Sequence, residues 1–370
     1  MSSYEAPGAQ AAPTSAPAGK PAGDLLPPVE APTGTFILQL FLIPLLIVSI
    51  VVLLWLTFSW LAHMGGDDPQ SLITGLGRGD DQSWQGAHRL AELLRNPDPK
   101  YDQLRADSKL ARQLADLLER DLANPAQGDG DQLLVMRRMF MCRALGSFTV
   151  TDGLPVLMRA AKEERDPIEV QVRLAALEAI TTLADNCGPE SFQAHAELMN
   201  VVLACSREPS DSGPPPTTRN GEETTYRPHA EIRSVAAFAL GVIGGNQATE
   251  RLTQMLRDPY ANARYNAATG LARRGDPACV RVLKEMLDPD NNQAARDESN
   301  DRDKDRKRAT VLINGVRASL ELAQANPQAD LTEVKAALKA LAESPLSQLQ
   351  SDRSKIQNAA IEALRLIERP

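Results

Sequence analysis

The stretch "DPYANARYNAATGLARRGD", Asp258 to Asp276, sets two alanines side by side in a helix-forming frame. Upstream, "RSVAAFALG" from Arg233 has the rhythm of "RYNAATGLA" from Arg264. Both read R-x-x-A-A-x-x-L, at an offset of 264 − 233 = 31 residues. Related segments are "RMFMCRALG" from Arg138, "RLAALEAIT" from Arg173 and "RATVLINGV" from Arg308. The closing "KIQNAAIEALRLI" repeats the small pair at Ala359 and Ala360, and "WQGAHRLAELL" from Trp84 is a looser relative. Self-similarity at a period of 20–50 residues is the mark of a solenoid.

Each segment has apolar residues at helical spacing, as in Ile232, Val235, Ala236, Ala239 and Leu240. Between them lie second amphipathic segments such as "ATERLTQMLRD" and "PACVRVLKEMLD". The expected unit is a helical hairpin whose small residues let neighbouring helices approach closely. The predicted fold is all-α, an α-solenoid of helical hairpins preceded by a single transmembrane helix. Composition agrees. Only 4% of the 370 residues are aromatic, and alanine and leucine dominate the apolar set, which favours helix over strand.

Residues 1–35 hold seven prolines and eight alanines and are read as a disordered tail. Phe36 to Ala62 follows, twenty-seven residues without a charge. Roughly twenty apolar residues cross a hydrocarbon core of about 30 Å, so this run predicts a single-pass anchor over 36–62. It begins too late and runs too long for a cleaved signal peptide. The flanks barely choose an orientation. Lys20 faces Asp24 and Glu30 on one side, and Arg78, Arg89 and Arg95 lie on the other. The arginines and the unpaired thiols lean the C-terminal part towards the cytoplasm.

Residues 63–83 are expected to be a juxtamembrane linker and 84–130 a helical cap or neck. The latter contains "DSKLARQLADLLERDLAN", with Leu110, Leu114, Leu117 and Leu118 on one helical face. The repeat domain is placed at 131–370, with loop insertions at 206–228 and 291–307. The first insertion is rich in Pro, Gly, Ser and Thr. The second stretch, Asn291 to Arg308, mixes six basic with five acidic residues and reads as a solvated loop and helix start.

No sequence pattern for catalysis emerges. There is no GxxxxGK[ST], GxSxG or HExxH. Four cysteines, Cys142, Cys187, Cys205 and Cys279, stand far apart without CxxC spacing. If "PESFQAHAELMNVVLAC" forms one helix, Cys187 and Cys205 lie about 27 Å apart at ~1.5 Å per residue. They could not then share a zinc ion with His195. Asp129 and Asp131 lack the remaining ligands of a calcium loop. Net charge is −8, and no basic stripe suggests nucleic acid. No catalytic residue, cofactor, metal or small-molecule substrate is expected.

The pattern resembles HEAT repeats, in particular the short variety of phycobilisome-lyase-like proteins. Its carriers are "DPYANARYNAATGLARRGD" and its relatives, over roughly 131–368. Asp258-Pro259 matches the family's turn between the two helices of a hairpin, and Arg264 its basic residue. Asp166-Pro167 ahead of Arg173 is a second match, whereas Pro228-His229 stands in that place ahead of Arg233. The resemblance implies a ladder of Asp and Arg interactions between neighbouring repeats, drawn from Asp166, Arg173, Arg233, Asp258 and Arg264.

Two functions of different class follow. The first is a membrane-anchored scaffold that binds a protein partner and holds it at the bilayer, since solenoids expose an extended binding surface. The other is a lyase-like or chaperone-like accessory acting on a cofactor-bearing protein, which the family resemblance alone suggests. A structural envelope protein whose repeats self-associate is a third possibility.

Overall fold

A computed structural model describes residues 33–64, 69–78, 83–124, 126, 131–163, 169–209, 228–347, 349–350 and 352–368. It divides into two units, Met1–Gly65 and Gly66–Pro370. Among the described residues there are seventeen α-helices and no strand. The first unit contributes α1 (Gly34–Met64), which contains Pro44 and is apolar all round. Its segment Leu40–Ser59 is long and apolar enough to cross a membrane.

The second unit opens with α2 (Pro69–Leu76), α3 (Ser83–Arg95), α4 (Asp102–Arg105) and α5 (Ser108–Leu122). It continues with α6 (Gln132–Gly146), α7 (Leu154–Lys162), α8 (Val170–Cys187), α9 (Pro189–Gln193) and α10 (Ala196–Cys205). Next come α11 (Pro228–Ile243), α12 (Asn246–Met255), α13 (Ala261–Ala272) and α14 (Val280–Leu287). The last three are α15 (Asp301–Ala325), α16 (Thr332–Glu343) and α17 (Arg353–Glu368).

These helices form two layers. In the first, α3, α6, α8, α11, α13, α15 and α17 each pack on the next. In the second, α5, α7, α10, α12, α14 and α16 each precede and pack on a helix of the first layer. The unit is therefore an α-solenoid. Small residues set its internal spacing. A Cβ on Gly241 would stand 2.9 Å from the Cα of Gly270, and one on Gly146 would stand 2.6 Å from the Cα of Ala179. Those helices touch backbone to backbone. The alanine pair of α11 (Ala236, Ala237) and that of α13 (Ala267, Ala268) are fully buried. One core runs from Leu72 to Leu331, and α15, α16 and α17 close a second around Leu312, Leu338 and Ile356.

Local chemistry starts and stops these elements. Asp107 caps α5 by accepting from the amides of Lys109 and Leu110. Asp258 Oδ1 accepts from the amide of Tyr260 at 2.8 Å, closing the turn that Pro259 pre-sets.

Several expectations change. The stretch 63–83, read as a linker, contains α2, which packs on α3 and α5 with Leu72, Ile73 and Leu76 buried. Its spacing of three apolar residues is helical, but eight residues are too few to stand out from a linker. Residues 291–307 are a loop only to Asn300. Asn300 caps α15 by accepting from Asp303, so Asp301–Lys307 is helix. The expected single helix from Pro189 to Cys205 is broken at Ala194–His195, where His195 Nδ1 accepts from the amide of Leu198. The core of the first insertion, 210–227, the tail 1–32, Asp129 and Asp166 lie outside the described residues.

Candidate partner-binding groove

The repeat arginines form buried joints between hairpins. Arg233 of α11 grips Asp258 with two prongs, Nε to Oδ2 at 2.9 Å and Nη2 to Oδ1 at 3.1 Å. Its Nη1 donates to the carbonyl of Pro209 at 2.8 Å, so one guanidinium ties the turn before its own helix to the next. Arg264 of α13 reaches its own turn, donating to the carbonyls of Asp258 at 2.8 Å and Pro259 at 3.2 Å. It also pairs with Glu285 of α14 and donates to Gln293 at 2.7 Å.

Two joints use carboxylates outside any Asp-Pro frame. Arg173 of α8 pairs with Glu208 and donates to the carbonyl of Ala161 at 3.1 Å. Glu208 also meets His229 Nδ1 at 2.9 Å, which completes a joint where Pro228-His229 stands in the sequence. Burial opposes the charge on Glu208. The hydrogen bond and charge of Arg173, with help from His229, outweigh it and hold the carboxyl below its ordinary range. Arg138 of α6 pairs with Glu169 at 2.9 Å, and both side chains are fully buried. Arg138 also bonds the carbonyls of Asp121 and Asn124, pinning the chain where it leaves α5.

None of Arg173, Arg233, Asp258 and Arg264 lines the main groove of the unit. That groove, about 520 Å³, crosses α6, α8, α11, α13 and α15. Its floor is Leu174, Ala175, Val235, Phe238, Val311 and Ala318. Phe238 keeps 38% of its surface exposed, one of few large apolar side chains in this unit to do so. Many polar groups lining the groove are engaged internally. Asn266 Nδ2 donates to Ser234, and the Tyr265 hydroxyl donates to Glu285 at 2.9 Å. Burial pushes the Tyr260 phenol up to about 12, so it stays neutral and accepts from Asn262. By contrast, the side chains of Glu178, Asn314 and Arg317 make no hydrogen bond or ion pair among the described residues.

The groove extends past Phe238 and Arg273 to a second hollow lined by Thr181, Thr182, Asp185, Gln193, Gly241 and Arg274. Arg273 sits over the ring of Phe238, 5.8 Å from its centroid, and pairs with Glu321 at 3.5 Å. Such a surface has open polar rims and an apolar floor. It can hold a segment of another chain by shape, hydrogen bonds and buried apolar contact.

The thiols offer no reactive centre. Burial raises all four, with Cys142 and Cys279 pushed up to about 12. Among the described residues, no group of His, Cys, Asp and Glu is arranged to hold a metal ion.

Of the groove residues the sequence marked only Val235, and that as part of an apolar stripe and not as a binding surface. A weak signal exists for Phe238, the lone aromatic in "SVAAFALG", one residue past the alanine pair.

An all-helical, two-layered stack of hairpins defines the class of α-solenoids. Residues 222–300, the hairpins from α11 to α14, match the family model for HEAT repeats. Over that stretch the chain is similar to HEAT repeats. No curated protein matches it.

Proposed function

We propose that the chain is a membrane-anchored HEAT-repeat scaffold that binds a protein partner and holds it at the bilayer. In this reading α1 is the anchor, with the repeat unit on the cytoplasmic side. The groove across α6, α8, α11, α13 and α15 receives a segment of the partner. Arg173, Arg233, Asp258 and Arg264, with Glu169 and Glu208, keep the hairpins in register so that the five helices present one surface. Asp166 is assigned no part. The reading asks no catalysis and no cofactor of the chain.

The observation that carries it is the half-exposed Phe238 on the floor of a groove whose rims hold the unpaired Glu178, Asn314 and Arg317. HEAT repeats suit protein interaction because stacked helices offer an extended surface. The test is co-purification of the full-length protein from detergent-solubilised membranes of its own source. Wild type should bring down a stoichiometric partner that Phe238→Asp loses. Recovery of the same partner by both proteins would sink the groove as its seat.

A further inference from the structure

The two arginines at the end of α13 do different work from the repeat arginines. Each described repeat arginine discussed above meets a carboxylate; Arg274 meets none among the described residues. Its Nη1 donates to the carbonyls of Gly241 at 3.0 Å and Gly270 at 3.5 Å. Its guanidinium lies against Gly244, where φ is +81° and a Cβ would stand 1.6 Å from Nη2. The positive φ favours glycine there, and the Arg274 guanidinium fills the space a side chain would otherwise take. Burial and the charge of neighbouring Arg273 push the Arg274 pKa down, so the cation is under-compensated where it sits.

Arg273, its neighbour in the chain, has only the part-exposed Glu321 at 3.5 Å and the face of Phe238 among the described residues. Asp185 shares the hollow with both arginines and forms an ion pair with neither. Two adjacent guanidinium groups and an exposed aromatic ring thus stand together on one wall, in a protein of net charge −8. A guanidinium offers a planar fork of donors that matches a carboxylate, and charge-assisted bonds of that kind are the strong ones.

We infer that Phe238, Arg273 and Arg274 form the anchor of the groove, and that they take an Asp or Glu side chain close to a large apolar side chain of the partner protein. The apolar group covers Phe238 and the carboxylate bridges the arginines. This rests on the groove being a docking surface, as proposed above, and adds the chemistry of its occupant.

The test is selection from phage displaying random 12-residue peptides, each fused through its C-terminus so that side chains alone supply carboxylates. The target is the full-length protein in detergent micelles. Enriched clones should carry Asp or Glu within two residues of a large apolar residue. Arg273→Gln and Arg274→Gln should each cut recovery of those clones at least tenfold, and Arg274→Lys should retain part of it. Among the described residues the Arg273 side chain bonds no backbone group, so its variant tests the idea even where loss of the Arg274 carbonyl contacts disturbs the fold. Circular dichroism reports on that.

Clones that depend on Phe238 but lack an acidic excess, or that survive the double arginine variant, would overturn the anchor and leave the groove standing. Clones indifferent to Phe238→Asp, or no enrichment at all, would remove the groove reading and the anchor with it.

Discussion

Glu169 shows how much a single buried carboxylate can carry. With its side chain 1% exposed and that of Arg138 at 0%, the pair has no solvent to fall back on. Replacing a buried pair by apolar groups is often near neutral, whereas removing one partner strands a charge. Glu169→Ala is therefore expected to cost about 3–5 kcal/mol in urea unfolding, and Arg138→Met with Glu169→Leu less, because it strands no charge although it frees the backbone groups of Asp121, Asn124 and Ala126. Equal losses for the two variants would mean that the pair acts through packing and not charge.

Glu208 makes a prediction of another kind, about acid. Its folded-state pKa lies below the ordinary value of about 4.3, so its stabilisation is present above that value and lost as pH falls through the folded pKa. The melting temperature should hold steady from pH 7 to about 5 and drop below about pH 4. Glu208→Gln should lower the plateau and flatten that drop. An unchanged slope in the variant would assign the acid transition to other carboxylates.

At the scale of an element, the hairpin stack depends on helices that meet without side chains between them. Alanine is a better helix former than glycine by about 1 kcal/mol, so propensity alone favours Gly146→Ala. The new Cβ would stand 2.6 Å from the Cα and 2.8 Å from the carbonyl oxygen of Ala179, both backbone atoms that cannot swing aside. Forced expansion of a packed contact typically costs about 1–3 kcal/mol, so after the propensity gain a net loss of roughly 0–2 kcal/mol is expected by denaturant titration. A gain in stability would show that α6 and α8 can separate freely, against the close packing of their faces. This dependence was legible in advance. The paired small residues announced the close approach, whereas Gly146 and Gly241, each eight residues after a repeat arginine, show their part only in the backbone contacts they make. Helix α2 was not legible, because its three buried residues gain meaning only once α3 and α5 stand beside them.

The whole molecule joins an apolar helix to a repeat unit. Leu40–Ser59 is twenty residues long, about 30 Å as a helix, which matches the hydrocarbon thickness. If α1 anchors the chain as proposed, the full-length protein should resist extraction by alkaline carbonate, and deletion of Gly34–Met64 should release it into the supernatant. Extraction of the intact protein would end the anchor reading and turn α1 into a segment awaiting a protein surface.

By itself the sequence determined the class. Apolar spacing, alanine pairs and the 31-residue offset are local patterns, and each hairpin is built from contacts within a few tens of residues. It also marked the one uncharged run long enough for a bilayer. Two things were decided only by tertiary structure. The first is which carboxylate meets each arginine. Glu169 and Glu208 sit in no motif, and reach Arg138 and Arg173 because a buried guanidinium takes whatever acid the fold brings near. The second is the groove, gathered from Met139 to Glu321 across five stacked helices. Its exposed side chains, such as Phe238 and Arg273, carry little of the core packing. They leave no period to read until the stack aligns them.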